Sequence, residues 1–381
     1  MLLKIKFKKL LFLVCCLLQT TLFALVEPSL FYEKLCESTP QWVIEQIEND
    51  LAPFSKELSK QYLNDLFALY QEEWFLLRVR VVQGQLSFEK SNAVKSYALT
   101  PFIIDPIVQL HSLMPLPDMD FIVTLHDVSL TAYSSRAKIN FPSGPPGPIF
   151  CIAKNKLETG MVVIPDWYAL NDYLPDKALI LEGRRQMLTN WQAKHSVLFF
   201  RGGDSGVFDR SEWRNCARPK LVSLSLQHPD LIDAKFSYLM KYEVDSSIRD
   251  QMMKEGMVAN HVPISHFPRY RYLMDVDGHT ANTPRTALLL YSGSVLFKQI
   301  TNNILWFYKE LKPYVNFIPV AEDLSDILLK IEWAKNHDAE CQRIAENAYQ
   351  LAEEVLRPEC SYLYLYRLLE TYSKKQQQYY Y

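Results

Sequence analysis

The chain has 381 residues, 49% of them hydrophobic and 13% aromatic, with a formal net charge of −2. That length and apolar content suit two domains of ordinary size with real cores. The near-neutral balance excludes the basic footprint of a nucleic-acid binder, so no nucleic-acid partner is expected; 11 glycines among abundant aromatics exclude fibrous and disordered classes.

Residues 1–24 stand apart. Lys4, Lys6, Lys8 and Lys9 precede an apolar run from Leu10 that is interrupted by Gln19, Thr20 and Thr21, and Ala24 sits at a plausible cleavage point. A basic start, a short apolar stretch and a small residue define a secretory signal. The run is short for a membrane span, so a retained single-pass anchor is the alternative, and membrane contact is expected only in that case. A cleaved signal takes Cys15 and Cys16 with it. Cys36, Cys151, Cys216, Cys341 and Cys360 remain, an odd number with no CxxC or Cys/His spacing that suggests zinc.

The rest reads as two α/β halves. In the first, residues 27–194, a helix follows Ser38 or Thr39 as cap with Pro40 in its first turn. Two alternating runs flank Gln83-Gly84 as a hairpin. A helix over Phe102 to Leu113 precedes the buried strand "DMDFIVTLHD". The proline-glycine run 144–148 is a loop. Short strands follow in "PIFCIAK" and "TGMVVIPDW", then a helix from Asp176 that ends near a hinge at Lys194.

The second half, residues 195–356, starts with the strand of "SVLFFRGGDSG". It continues with strands in "KLVSLSL" and "YRYLMDVDG", a helix from Pro284, a strand "SVLFK", a helix "NILWFYKEL", a strand "YVNFIPV", and helices from Asp323 and Asp338. A last amphipathic helix, residues 357–375, is followed by a frayed "QQQYYY" tail. Short apolar strands alternating with helices predict parallel sheets, with ligands beyond the strands' carboxyl ends.

Several polar groups fall at such ends. "RGGDSG", Arg201 to Gly206, lets the backbone approach an anion beside Arg201, with Arg210 within reach, although it lacks the GK[ST] of a P-loop. "GHTANTPR", Gly278 to Arg285, combines loop amides, a helix start and one cation, which suits a phosphate; it also reads as a plain turn with Thr283 as N-cap and Pro284 at N1. Together the two loops suit a diphosphate. Asp127, at the end of "FIVTLHD", can take a proton from a hydroxyl, or serve as a turn aspartate; His126 competes as base, pointing to the opposite face if the strand alternates. The strings "DMD" and "DVD" can hold magnesium or manganese against a diphosphate, but such strings also arise by chance among 43 acidic residues. Asp166 and Trp167, in "IPDWYAL", sit at a further strand end, where an indole can stack on a sugar or pack in the core.

The ordered segments "SVLFFRGGDSG", "YRYLMDVDGHTANTPRTALLLYSGSVLFKQI" and "WFYKELKPYVNFIPVAEDLSDILLKIEWAKNHDAECQRIAENAYQLAEEVL" closely resemble glycosyltransferase family 90, which holds the protein O-glucosyltransferases and capsule-associated glycosyltransferases. The resemblance implies a GT-B-like fold: two Rossmann-like domains facing a central cleft, with a C-terminal helix packing back. It implies inverting transfer of a sugar, glucose or xylose, from a UDP-sugar to a hydroxyl of a protein or glycan acceptor, without a metal or other cofactor. It makes Asp127 the base, places UDP against Arg201, Gly203, Arg210, Thr280, Ala281, Asn282, Thr283 and Arg285, and turns Trp167 and Asp166 toward the acceptor. Gly203 stands where relatives often have serine, leaving only a backbone contact there. Family members with an oxidised fold carry cysteines near both ends, which implies a Cys36–Cys360 bond. The location implied is a secretory lumen, secretion, or the membrane if the anchor stays. Two rivals are a non-catalytic sugar- or peptide-binding protein on the same fold and a metal-dependent transferase using "DVD".

Overall fold

The structure is a computed structural model that describes residues 26–378 apart from 55–57, 73, 95–99, 127–146, 188–190, 208–209 and 241–243. The expected signal or anchor and the expected base Asp127 therefore lie outside the described residues. Among those described, no helix is long and apolar enough to cross a membrane.

In chain order, α1 (Pro28–Cys36), α2 (Gln41–Leu51) and α3 (Lys60–Tyr70) precede the hairpin of β1 (Leu76–Val82) and β2 (Gln85–Lys90). The hairpin turns where the sequence predicts. Gln83 and Gly84 take φ of 50° and 71°, the paired left-handed conformation that matches strand twist. Asp118 accepts from both of their amides, at 2.8 and 3.1 Å, so the first acid of "DMD" pins a turn. The last, Asp120, is buried in a two-pronged pair with Arg78, at 2.8 and 2.6 Å.

After α4 (Pro101–Leu113) come β3 (Met119–Thr124), β4 (Ile149–Cys151), β5 (Lys154–Asn155) and β6 (Met161–Val163). The first sheet runs β2-β1-β3-β4-β6. It is mixed rather than parallel: β2, β1 and β3 pair antiparallel, and only β3, β4 and β6 run together. The tight hairpin forces the first reversal.

Helix α5 (Asp176–Met187) leads to the second half: β7 (His195–Gly203), α6 (Ala217–Gln227), β8 (Ile232–Tyr238), α7 (Ser246–Lys254), β9 (Tyr270–Asp275), α8 (Arg285–Leu290), β10 (Val295–Gln299), β11 (Asn303–Ile304), β12 (Ile318–Val320), α9 (Ile327–Asn336) and α10 (Asp338–Val355). Its sheet, β12-β10-β9-β7-β8, is parallel throughout. A two-stranded ribbon of β5 and β11 stitches the halves together.

Two elements differ from expectation. "KLVSLSL" is helix α6, because Leu221, Val222 and Ser225 form a buried helical stripe while Leu226 is exposed. "NILWFYKEL" is the short strand β11 and a turn; Leu305, Trp306 and Phe307 are all buried, which no single helix face accommodates. Strand β8 and helix α7 carried too weak a pattern to be expected.

The last helix, α11 (Pro358–Gln376), packs back onto the first half against α1 and α2. Gln376, expected in the frayed tail, is buried and acts as a substitute strand. Its amide accepts from the Asp120 N–H at 2.8 Å and donates to the Asp120 carbonyl at 2.7 Å, beside the stretch of β3 that β4 does not reach. The α1–α11 contact brings Cys36 and Cys360 onto neighbouring helices, yet both are free thiols, against the expected bond. The Cys360 thiol donates to Glu354 O at 3.2 Å, and burial pushes its pKa up to about 11, so it is turned into its own helix junction.

Candidate functional site

Within the second sheet the spatial order places β7 and β9 side by side with their connections leaving in opposite directions. That is the switch point where open α/β sheets bind ligands. A cavity of about 620 Å³ opens there, walled by the residues after β7 and β9 and, from the first half, by Asp176 and Leu179 of α5.

Strand β7 runs straight into Gly202-Gly203. A Cβ on Gly203 would stand 2.6 Å from the Tyr238 ring, so only backbone is presented there unless Tyr238 moves. Gly206 has φ of 90°, and a Cβ there would stand 2.5 Å from the Gly278 carbonyl. The two cavity loops therefore touch through backbone at a position built for glycine.

Two guanidiniums dominate this junction. Arg285, the first residue of α8, is half-buried and donates to the Arg201 carbonyl at 2.6 Å. Arg218, in the first turn of α6, donates to the carbonyls of Gly203 at 3.0 Å, Asp277 at 3.2 Å and Val276 at 3.3 Å, and to the Ser205 hydroxyl. Among the described residues neither forms an ion pair. Burial, and then the charge of Arg285, lowers the Arg218 pKa to about 10, which leaves it charged at neutral pH; burial also lowers Arg285. A buried and a half-buried cation facing carbonyls and hydroxyls are costly without a counter-charge.

The other expected residues divide. Arg201 lines the cavity, but its guanidinium is paired with Asp233 at 2.7 Å and held over the Phe199 ring, leaving its carbonyl for Arg285. Arg210 is exposed, pairs with Asp245 at 3.2 Å and lies outside the lining of the cavity, which corrects the reading that put it there. Arg218 takes its place. Sequence reasoning missed Arg218 because "KLVSLSL" was read as a strand; read as a helix, it puts an arginine in the first turn after a glycine loop.

Thr280, Ala281, Asn282 and Thr283 all line the cavity. Thr280 is buried and its hydroxyl has no partner among the described residues, so it is available to a ligand. Asn282 is fixed by a bond to Asp275 at 3.0 Å. Thr283 is not the N-cap and Pro284 is not at N1: the helix starts at Arg285, and the Thr283 hydroxyl donates instead to Asp166 Oδ2 across the cleft.

Asp166 is thus occupied on both oxygens, with Ala169 N–H on Oδ1 at 2.8 Å, and burial raises its pKa. Trp167 is 4% exposed and packed in the core. Neither is open to an acceptor, as the resemblance had implied. His126 is half-buried against Phe75, with ring centroids 5.3 Å apart.

The "DVD" acids are also engaged. Asp275 takes Lys298 at 3.2 Å and Thr286 at 2.7 Å; Asp277 takes Thr301 at 2.6 Å and Asn303 at 3.0 Å, and burial raises its pKa. Among the described residues no group of three or more His, Cys, Asp or Glu side chains is placed to hold a metal.

The chain is similar to several named proteins. Protein O-glucosyltransferase 2 of Danio rerio is 28% identical over 87% of this chain and 62% of its own length. Protein O-glucosyltransferase 3 of Rattus norvegicus is 30% identical over 71% of this chain and 49% of its own. The chain thus spans about half to three-fifths of these relatives. Among solved structures, Anabaena HepE in complex with UDP-glucose matches 64% of this chain and 68% of its own at 13% identity and a TM-score of 0.39, too loose a match to assign anything. The model of glycosyl transferase family 90 matches residues 36–379, and the chain belongs to that family.

Proposed function

We propose that the cavity at the β7–β9 switch point holds the diphosphate of a UDP-sugar, and that the chain transfers the sugar, glucose first among candidates, to a hydroxyl of a protein acceptor. The observation that carries this reading is a buried guanidinium, Arg218, and a half-buried one, Arg285, neither in an ion pair among the described residues, lining one cavity with a Thr280 hydroxyl that has no partner among those residues. A diphosphate supplies the charge they lack. The names of the relatives, protein O-glucosyltransferases, support both the sugar and the acceptor class.

In this mechanism the acceptor oxygen attacks the anomeric carbon from the face opposite UDP. The bond from that carbon to the diphosphate oxygen breaks, and the bonding pair leaves on UDP. The acceptor proton goes to Asp127, which follows the end of β3 in the chain by way of buried Leu125 and half-buried His126. A positioned base is worth about 10²–10⁴-fold. The guanidiniums stabilise charge that grows on the leaving diphosphate, by on the order of 3–4 kcal/mol for a well-placed donor. Metal-independence is part of the proposal, supported by the bonds that Asn282, Thr286 and Lys298 make to both oxygens of Asp275. A secretory lumen is the compartment proposed, on the basic and apolar start of the chain.

Calorimetric titration with UDP, with and without EDTA, and mass-spectrometric detection of UDP-glucose hydrolysis test this. Binding that survives EDTA and is lost in Arg285→Ala is expected. Unchanged UDP affinity in that variant would overturn the assignment of the cavity.

A further inference from the structure

Helix α5 has a cavity at each end. Asp176 and Leu179, near its start, wall the nucleotide cavity; Arg184 and Met187, near its end, wall a second cavity of about 340 Å³. Trp191 and Lys194 from the link to β7, Gly293 after α8, and Arg343 and Glu346 of α10 complete the second.

Its charge is unbalanced. Lys194 is 6% exposed, and its ammonium donates only to neutral acceptors, Gly293 O at 2.7 Å and Ser294 Oγ at 2.9 Å. Among the described residues no carboxylate pairs with it. Arg184 has a buried Nε without a partner and reaches Glu346 at 3.4 Å. The charged groups around Lys194 are Arg184 from α5, Arg271 from β9, which is tied to Asp338 at 3.2 Å, and Arg343 and Glu346 from α10. Of the three cations that line the cavity, Arg184 pairs with Glu346 and the exposed Arg343 with Glu340 at 3.5 Å, which leaves Lys194 as the one without a carboxylate among the described residues.

We propose that this cavity is an anion site for a tetrahedral dianion, a phosphate monoester or inorganic phosphate, held by the Lys194 ammonium and the Arg184 guanidinium with Trp191 and Met187 as an apolar wall. A buried ammonium and a half-buried guanidinium, held over the Tyr349 ring, offer charge-assisted donors in a fixed arrangement, which is what such an oxyanion needs. The titration of Lys194 agrees: burial, Arg184 and Arg271 lower its pKa to about 7, so the unoccupied site carries it only partly protonated near neutrality. A bound dianion restores the proton, and binding is accompanied by proton uptake.

The test uses the full chain with its nucleotide cavity saturated by UDP, titrated calorimetrically with inorganic sulfate, whose charge is constant across the range. One-to-one binding at about pH 6, weakened roughly tenfold at about pH 8.5 as Lys194 loses its proton, is expected. Lys194→Met abolishes it and Arg184→Gln weakens it about tenfold. Tighter binding of glycerol 3-phosphate than of inorganic phosphate assigns an ester ligand; the reverse assigns the free ion. Absent binding at about pH 6, or binding unchanged by both substitutions, overturns the site. Should Lys194→Met fail to fold, Arg184→Gln decides alone.

Discussion

Asp166 and Thr283, 117 positions apart in the chain, share a hydrogen bond that joins the first half to the loop of the nucleotide cavity. Because Asp166 is buried and fixed by Ala169, it acts as an anchor for Thr283 and, through it, for Arg285. Thr283→Val and Asp166→Asn should each weaken UDP affinity. Their double-mutant cycle should show coupling of roughly 0.5–3 kcal/mol. Strict additivity would show that the bond does not set the loop.

The arginines separate sharply. Arg218→Ala removes a buried cation with four acceptors and should reduce UDP affinity on the order of a hundredfold, whereas Arg210→Ala, at an exposed pair, should leave it within about twofold. Equal losses in both would contradict the placement of Arg210 outside the cavity.

Asp127→Asn should keep UDP binding and lose transfer by about 10²–10⁴-fold. Turnover at the wild-type rate would end its assignment as base.

Gly206→Ala combines a left-handed backbone with a Cβ 2.5 Å from the Gly278 carbonyl. A loss of about 1–3 kcal/mol in thermal unfolding, with weaker UDP binding, is expected.

Lys194 gives the stability curve a signature. Its pKa is about 7 in the folded chain and about 10.4 when unfolded, so folding releases a proton between those values. The unfolded state binds more protons there, and stability rises with pH from about 7 upward, by at most about 5 kcal/mol. Lys194→Met should flatten that rise in melting temperature measured against pH; an unchanged slope would show that Lys194 is solvated.

Much of this was legible beforehand. The Gln83-Gly84 turn announces its backbone, and the residues from Thr280 to Arg285 meet in one cavity as expected. The family, on its ordered motifs, was also legible. What stayed hidden depends on three-dimensional partners. Asp166 and Trp167 have the right chemistry for an acceptor, but only packing shows one bonded on both oxygens and the other enclosed. Arg218 was lost through a misread period in "KLVSLSL", and Arg210 was favoured because it is nearer in sequence to the glycines. The Cys360 thiol bonds the Glu354 carbonyl at its own helix junction, a direction that spacing does not encode.

The bond between Gln376 and Asp120 has a bearing on synthesis. The first sheet borrows a peptide-like group from the chain's final helix, together with Tyr372, whose hydroxyl also reaches the Asp120 carbonyl, at 2.9 Å. On the ribosome the leading half therefore lacks this partner for its third strand until α11 has been made. A premature stop shortly before residue 372 would injure the half of the molecule made first.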